Sequence, residues 1–187
     1  LVAMVDSFLK YLQFEKRVSQ HTVLAYQNDL HQFSIFLSGT FNEQSPEKAD
    51  YGMIRSWIVQ LSESDIEPKS INRKIATLRS YYKHLLRQEV ITVTPMTKIR
   101  VLKTKKKLPS FVKEGDMINM LDNVVFEETL DGWRERLILE LFYGTGIRLS
   151  ELIHLKESQI DLLNKTIKVL GKRNKERVIP FSGSIVS

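Results

Sequence analysis

The sequence predicts a mainly α protein with a small antiparallel β-meander, split between a helical first domain and an α+β second one. Three observations carry that prediction. Apolar residues recur at helical spacing through most of the first 89 residues. A proline at 95 and a run of cations then break the pattern. Beyond residue 158 the period shortens to that of strands.

The elements follow in order. Val2, Val5, Phe8, Leu9 and Leu12 mark a helix over 2–14. Val23, Tyr26, Leu30, Phe33 and Leu37 mark a second over 20–38, with Ser19 as its N-cap. Ile54, Trp57, Ile58 and Leu61 place a third at 51–63. A long fourth, 68–89, carries Ile71, Ile75, Leu78, Tyr82 and Leu85, and Pro68 sits in its first turn, where a missing N–H costs little. These helices make a compact domain over 1–95, followed by a basic linker at 96–110 and a second domain from 111 to 187. In the latter, a helix is expected near 113–124. "DGWRERLILELFYGTG" reads as an apolar helix ended by glycines, its core stripe being Leu137, Ile138, Leu141 and Phe142. A short helix carrying Arg148 comes next. "IDLL", "TIKVL" and "RVIPF" then form the meander, separated by "NK" and "GKRNKE".

Composition narrows the function. The chain lacks cysteine, which removes disulfides, thiolate nucleophiles and Cys-based metal sites, and its four histidines show no metal-ligand spacing. No apolar run is long enough to span a bilayer, and Asp6, Lys10, Glu15 and Lys16 interrupt the N-terminal stretch, so a cytoplasmic protein is expected. The net charge of +6 is concentrated. Residues 1–95 hold 11 Lys and Arg against 10 Asp and Glu, and 108–187 hold 11 against 12, whereas 98–107 hold six and no carboxylate. A cationic segment between two neutral halves suits contact with a polyanion, with Lys103, Lys105, Lys106 and Lys107 as candidates; a solvated tether is the plainer reading.

The polar faces of the second and fourth helices add to this. Thr22 lies on the second; Ser70, Arg73, Lys74, Thr77 and Lys83 lie on the fourth, away from its apolar stripe and with no carboxylate before Glu89. Hydroxyls and cations are what a phosphate backbone and base edges require.

The stretch "GTGIRLSEL" sets an arginine, Arg148, at a helix start, where the partial positive charge of unpaired N–H groups disfavours a cation unless an anion lies nearby. Leu149 occupies the third glycine position of a dinucleotide fingerprint, and no G-K-[ST] follows, so nucleotide-loop readings fail. Two readings remain: Arg148 pairs with Glu151 one turn on, or it holds a phosphate. The segment "VLGKRNKERVIPF" sets Lys172, Arg173, Lys175 and Arg177 around a tight turn with only Glu176 opposing. A lysine so presented can protonate a leaving alkoxide, while an arginine fork stabilises charge on a transferring phosphoryl group.

"YGTGIRLSEL" followed by "LGKRNKERVIP" closely resembles the first arginine box and the β-hairpin lysine of the tyrosine recombinases, particularly Xer-type and phage-integrase-like members. "SQHTVLAYQNDLHQFSIFL" and "SINRKIATLRSYYKHLL" resemble their SAM-like core-binding domain, so the likeness covers nearly the whole chain. The resemblance implies a clamp on double-stranded DNA, with the linker crossing the backbone. It implies a tyrosine that attacks the scissile phosphate to give a 3′-phosphotyrosyl link and a free 5′-hydroxyl, without metal or other cofactor, in a synaptic tetramer of the full-length protein acting at the nucleoid. Carried over, Arg148 clamps the phosphate, Glu151 supports it, and Lys172 is the general acid.

The family's H-x-x-R pair, later His or Trp and nucleophilic Tyr are expected after the hairpin, whereas no tyrosine follows Tyr143 here. "HLLR", His84 to Arg87, matches the pair by pattern but precedes the arginine box, and is assigned to helix surface. The 187 residues are therefore expected to be an inactive portion of a recombinase, with exposed apolar surface along 133–143 and a tendency to self-associate. The alternatives are a non-catalytic DNA-binding protein that keeps the clamp and a helical adaptor, which would show no salt-dependent DNA binding.

Overall fold

The computed structural model describes residues 2–43, 45–105, 108, 110–171 and 175–182. These fall into two compact units, 1–107 and 108–187.

The first unit is built from α1 (Val2–Lys10), α2 (Gln20–Phe41), α3 (Tyr51–Glu63) and α4 (Pro68–Arg87). The chain leaves α1 through a π-helical turn, Tyr11–Glu15, closed by Lys16 N–H donating to the Tyr11 carbonyl at 3.0 Å. Ser19 caps α2: its hydroxyl oxygen accepts from the Thr22 N–H at 3.4 Å. Asp50 caps α3 through the Met53 N–H at 2.8 Å. Pro68 stands in the first turn of α4, as its missing N–H allows.

The apolar stripes read from sequence close into one core. Phe8, Leu30, Phe33, Leu37, Ile54, Ile71, Ile75, Leu78 and Leu85 are all fully buried. Tyr81 and Tyr82 join them, and burial raises both hydroxyl pKa values well above their ordinary range. The Tyr82 hydroxyl donates to the Pro46 carbonyl at 2.6 Å.

Residues 96–102, expected in the linker, pack onto this unit. Met96 and Ile99 are buried. Asn72 fixes the following backbone from both sides, donating to the Leu102 carbonyl at 2.9 Å and accepting from its N–H at 2.7 Å.

The second unit holds α5 (Glu114–Asn123), α6 (Leu130–Thr145), α7 (Leu149–Ile153) and a sheet of order β1-β2-β3. Its strands are β1 (Ile160–Asp161), β2 (Thr166–Leu170) and β3 (Glu176–Pro180). Both pairings are antiparallel, with Ile160 opposite Ile167 and Val169 opposite Arg177. The alternation of β2 sends Ile167 and Val169 into a core with Leu141, Ile147 and Phe181.

Two expectations are corrected here. "IDLL" forms only two residues of strand; Leu162 and Leu163 lie exposed in the turn that follows. Of the stripe predicted for α6, Leu141 is buried and Phe142 packs on the core, but Leu137 is 42% exposed; Trp133 and Tyr143, exposed to greater degrees, agree with the apolar surface expected along 133–143.

Candidate active site

Gly146 ends α6 in the left-handed region, at φ 59°, where a residue without Cβ is favoured. That reversal buries Ile147 and leaves Arg148 as the N-cap residue of α7. Glu151, three residues on, reaches back and accepts from the Arg148 backbone N–H at 2.9 Å through Oε2 and from Arg148 Nη1 at 2.7 Å through Oε1. From β3, Arg177 Nη2 donates to Glu151 Oε2 at 2.7 Å. One carboxylate, 7% exposed, therefore serves two guanidinium groups and a helix N-terminus.

The electrostatics follow from that count. Burial pushes the Glu151 carboxyl pKa up, but hydrogen bonds from the Arg148 backbone and side chain and the charges of Arg177 and Arg148 outweigh it and hold the pKa below its ordinary value. Two cations about one anion leave the cluster net positive. The Arg148 side chain stays 59% exposed with one nitrogen on Glu151, so the rest of its fork is available to an oxyanion.

Gly171 backs onto this cluster. A Cβ there would lie 3.2 Å from the Lys175 carbonyl oxygen, 3.6 Å from Glu151 Oε1 and 3.8 Å from Arg148 Nη1. Its N–H donates to the Lys175 carbonyl at 2.7 Å, which closes the neck of the hairpin beside the arginine. Lys172 and Arg173 lie outside the described residues, as do Lys106 and Lys107. Lys175, Lys103 and Lys105 are exposed.

The polar face expected on α4 is corrected. Lys74 is 5% exposed and Thr77 fully buried, because Asp29 of α2 draws both inward. Asp29 accepts from Lys74 Nζ at 3.0 Å and from the Thr77 hydroxyl at 2.8 Å, and Arg73 forms a third bond to it. Lys74 also donates to Gln32 Oε1 at 2.5 Å. A carboxylate partner thus exists, supplied by the facing helix. Of the expected set on α4, Ser70 is half-buried and Arg73 keeps 46% of its side chain exposed. Thr22 is half-buried beside Ser19, their hydroxyl oxygens 2.9 Å apart.

His84 is corrected likewise. Assigned to helix surface, it is 3% exposed and packs against Phe8 and Tyr11, since it shares the face of Tyr81 and Leu85.

The sequence reading omitted Asp29 and Asn72 and placed Arg177 only in the charged turn, with no link to Glu151. Asp29 left a signal: it lies three residues after Tyr26 and four before Phe33, on the flank of the apolar stripe, where a carboxylate must find a partner.

Comparison with known proteins adds the lineage. The model described as phage integrase, N-terminal SAM-like domain, matches residues 5–89, and that of the phage integrase family matches residues 113–187. The tyrosine recombinase XerC of Staphylococcus saprophyticus is 39% identical over 176 residues, 94% of this chain and 58% of that protein. The XerC of Listeria innocua is 40% identical over 179 residues, again 58% of its length. The chain thus spans somewhat over half of these curated relatives. Among solved structures, the Tn1549 transposon integrase in complex with transposon right end DNA superposes with a TM-score of 0.72 at 15% identity, over 97% of this chain and 62% of that one. A lambda integrase dimer bound to a COC′ core site gives 0.69 at 21% identity, over 96% and 62%. At these identities the superpositions establish a shared fold.

Proposed function

The chain belongs to the phage integrase family, and from that premise we propose that it carries the core-binding part and the first catalytic residues of a site-specific tyrosine recombinase acting on double-stranded DNA. The observation that supports this most is Glu151 holding Arg148 and Arg177 together beside the hairpin neck at Gly171. An ion pair alone would need one arginine. A second cation and an exposed guanidinium make a site that gains by admitting an anion.

In this reading Arg148 grips non-bridging oxygens of the scissile phosphate, Glu151 fixes its fork, and Arg177 keeps Glu151 ionised. The ionised oxygen of a tyrosine attacks phosphorus, the bond to the 5′ oxygen breaks, and Lys172 gives that oxygen a proton, leaving a 3′-phosphotyrosyl link and a 5′-hydroxyl. The phosphodiester energy is kept in the new ester, so rejoining needs no cofactor. Thr22, Ser70, Arg73, Lys103, Lys105, Lys106, Lys107, Arg173 and Lys175 contact the duplex. Lys74 and Thr77 act through Asp29, as supports of Arg73. The parent protein works as a synaptic tetramer at the nucleoid. The 187 residues bind DNA through these contacts. Among the described residues no helix is long and apolar enough to cross a membrane.

The test uses the full-length protein on a nicked suicide substrate that traps the covalent intermediate. Lys172→Ala is expected to slow trapping by about 10²–10⁴-fold with DNA affinity held within a few fold, the signature of a general acid. Equal losses in rate and affinity would make Lys172 a backbone contact and not the general acid, and no trapping by the unsubstituted protein would favour a non-catalytic DNA-binding protein.

A further inference from the structure

A cavity of about 280 Å³ opens on the first unit between the π-helical turn and the second half of α4. Lys16, Lys83 and Arg87 line it, and among the described residues no carboxylate does. None of these cations enters an ion pair among the described residues. Arg87 Nη1 donates to the Tyr11 hydroxyl at 2.7 Å, and Arg87 and Lys16 lie 5.1 and 5.9 Å from the Tyr11 ring centroid. The aromatic ring thereby gathers two like charges at one wall, an arrangement that costs repulsion until an anion enters.

His84 supplies the second, independent observation. It lines the same cavity at 3% exposure; its Nε2 lies 3.4 Å from the Ser7 hydroxyl oxygen, while its Nδ1 is buried with no hydrogen-bond partner. An orphaned buried ring nitrogen is costly, and such a group calls for a missing partner. Burial and the Arg87 charge lower the His84 pKa, with Glu15 acting in the other direction, so the folded surroundings favour the neutral ring.

We propose that this cavity is a binding site for a phosphate-class oxyanion, with Lys16, Lys83 and Arg87 supplying charge and the His84 ring and the Ser80 hydroxyl supplying neutral polar groups. Five such groups about one cavity suit a tetrahedral anion with many acceptor positions, and the volume is near the lower end of the ~300–1,000 Å³ usual for ligand sites. The anion is either a phosphodiester of a duplex or free phosphate. The site is built wholly from residues of the first unit and does not rest on the strand-transfer reading.

The test follows the ring nitrogens of His84 by NMR in the 187-residue chain during titration with inorganic phosphate, then with a short DNA duplex; His21, His31 and His154 serve as references. A saturable shift confined to His84 is expected. It should need about tenfold more phosphate in Lys16→Ala/Lys83→Ala, both exposed positions, with melting temperature unchanged. If the duplex alone reproduces the shift, the anion is backbone phosphate; if the duplex binds and leaves His84 unmoved, it is free phosphate. No shift with either ligand, or a shift that the double variant leaves intact, overturns the proposal. A chain that binds phosphate here but no duplex would sink the DNA reading and leave this one standing.

Discussion

Glu151 is a single ionisable group on which two arginines depend, and its charge state decides both. Its pKa is depressed by folding, so ionised Glu151 contributes stability at pH values above its unfolded pKa, about 4.3, and that contribution is lost as pH falls through the lower folded value. Glu151→Gln is therefore expected to destabilise the second unit by about 2 kcal/mol at pH 7 and to converge with wild type in acid. Urea unfolding across that pH range checks it; a constant gap would show that the charge is not what matters. Asp29 offers the harsher case. Asp29→Ala strands the buried ammonium of Lys74, which is expected to cost about 3–5 kcal/mol, whereas Lys74→Met in the same background should recover much of it. Recovery measured by urea midpoint would separate a stranded charge from lost packing.

At the scale of elements, caps and close approaches carry the expectations. Ser19→Ala should lower stability by about 1 kcal/mol, read as melting temperature, because it removes the hydroxyl that the Thr22 N–H and hydroxyl share at the start of α2 and leaves that N–H only the Ser19 carbonyl. Gly171→Ala puts a Cβ 3.2 Å from the Lys175 carbonyl, so the hairpin neck must shift by a few tenths of an ångström beside Arg148. In the full-length protein it should slow cleavage several-fold with little loss of stability; an unchanged rate would mean the neck does not position the site. These elements differ in how openly the sequence announced them. The first four helices were legible because Ile71, Ile75, Leu78 and Leu85 face one core and nothing else competes for their spacing. The pairing of Arg148 with Glu151 was legible too, being local. Lys74 and Thr77 were misplaced because their partner is 45 and 48 residues away, and only packing α2 on α4 reveals it. His84 was misread for the same reason: its neighbours Phe8 and Tyr11 come from α1 and the turn after it. Arg177 was read as part of a charged finger, since strand register, not composition, turns it to Glu151.

At the scale of the molecule, each unit has its own core, and the first is much the larger. Residues 1–107 expressed alone are expected to fold and melt cooperatively, which calorimetry would show; a broad, non-cooperative transition would mean that the second unit is needed. If the exposed Lys103 and Lys105 touch backbone phosphate, replacing both with alanine should reduce the slope of log affinity against log salt by about two and weaken all duplex sequences alike. Asp29 has a further, mechanical consequence. Asp29 of α2 meets Thr77 of α4, and Gln32 meets Lys74, so the helices run antiparallel with their polar bonds lying across the gap between them. A force that slides one helix along the other would strain those bonds together, in shear. Sliding α2 along α4 is therefore expected to cost more than separating residues held by apolar contact alone, and Asp29→Ala should lower the force at which the pair yields in single-molecule pulling.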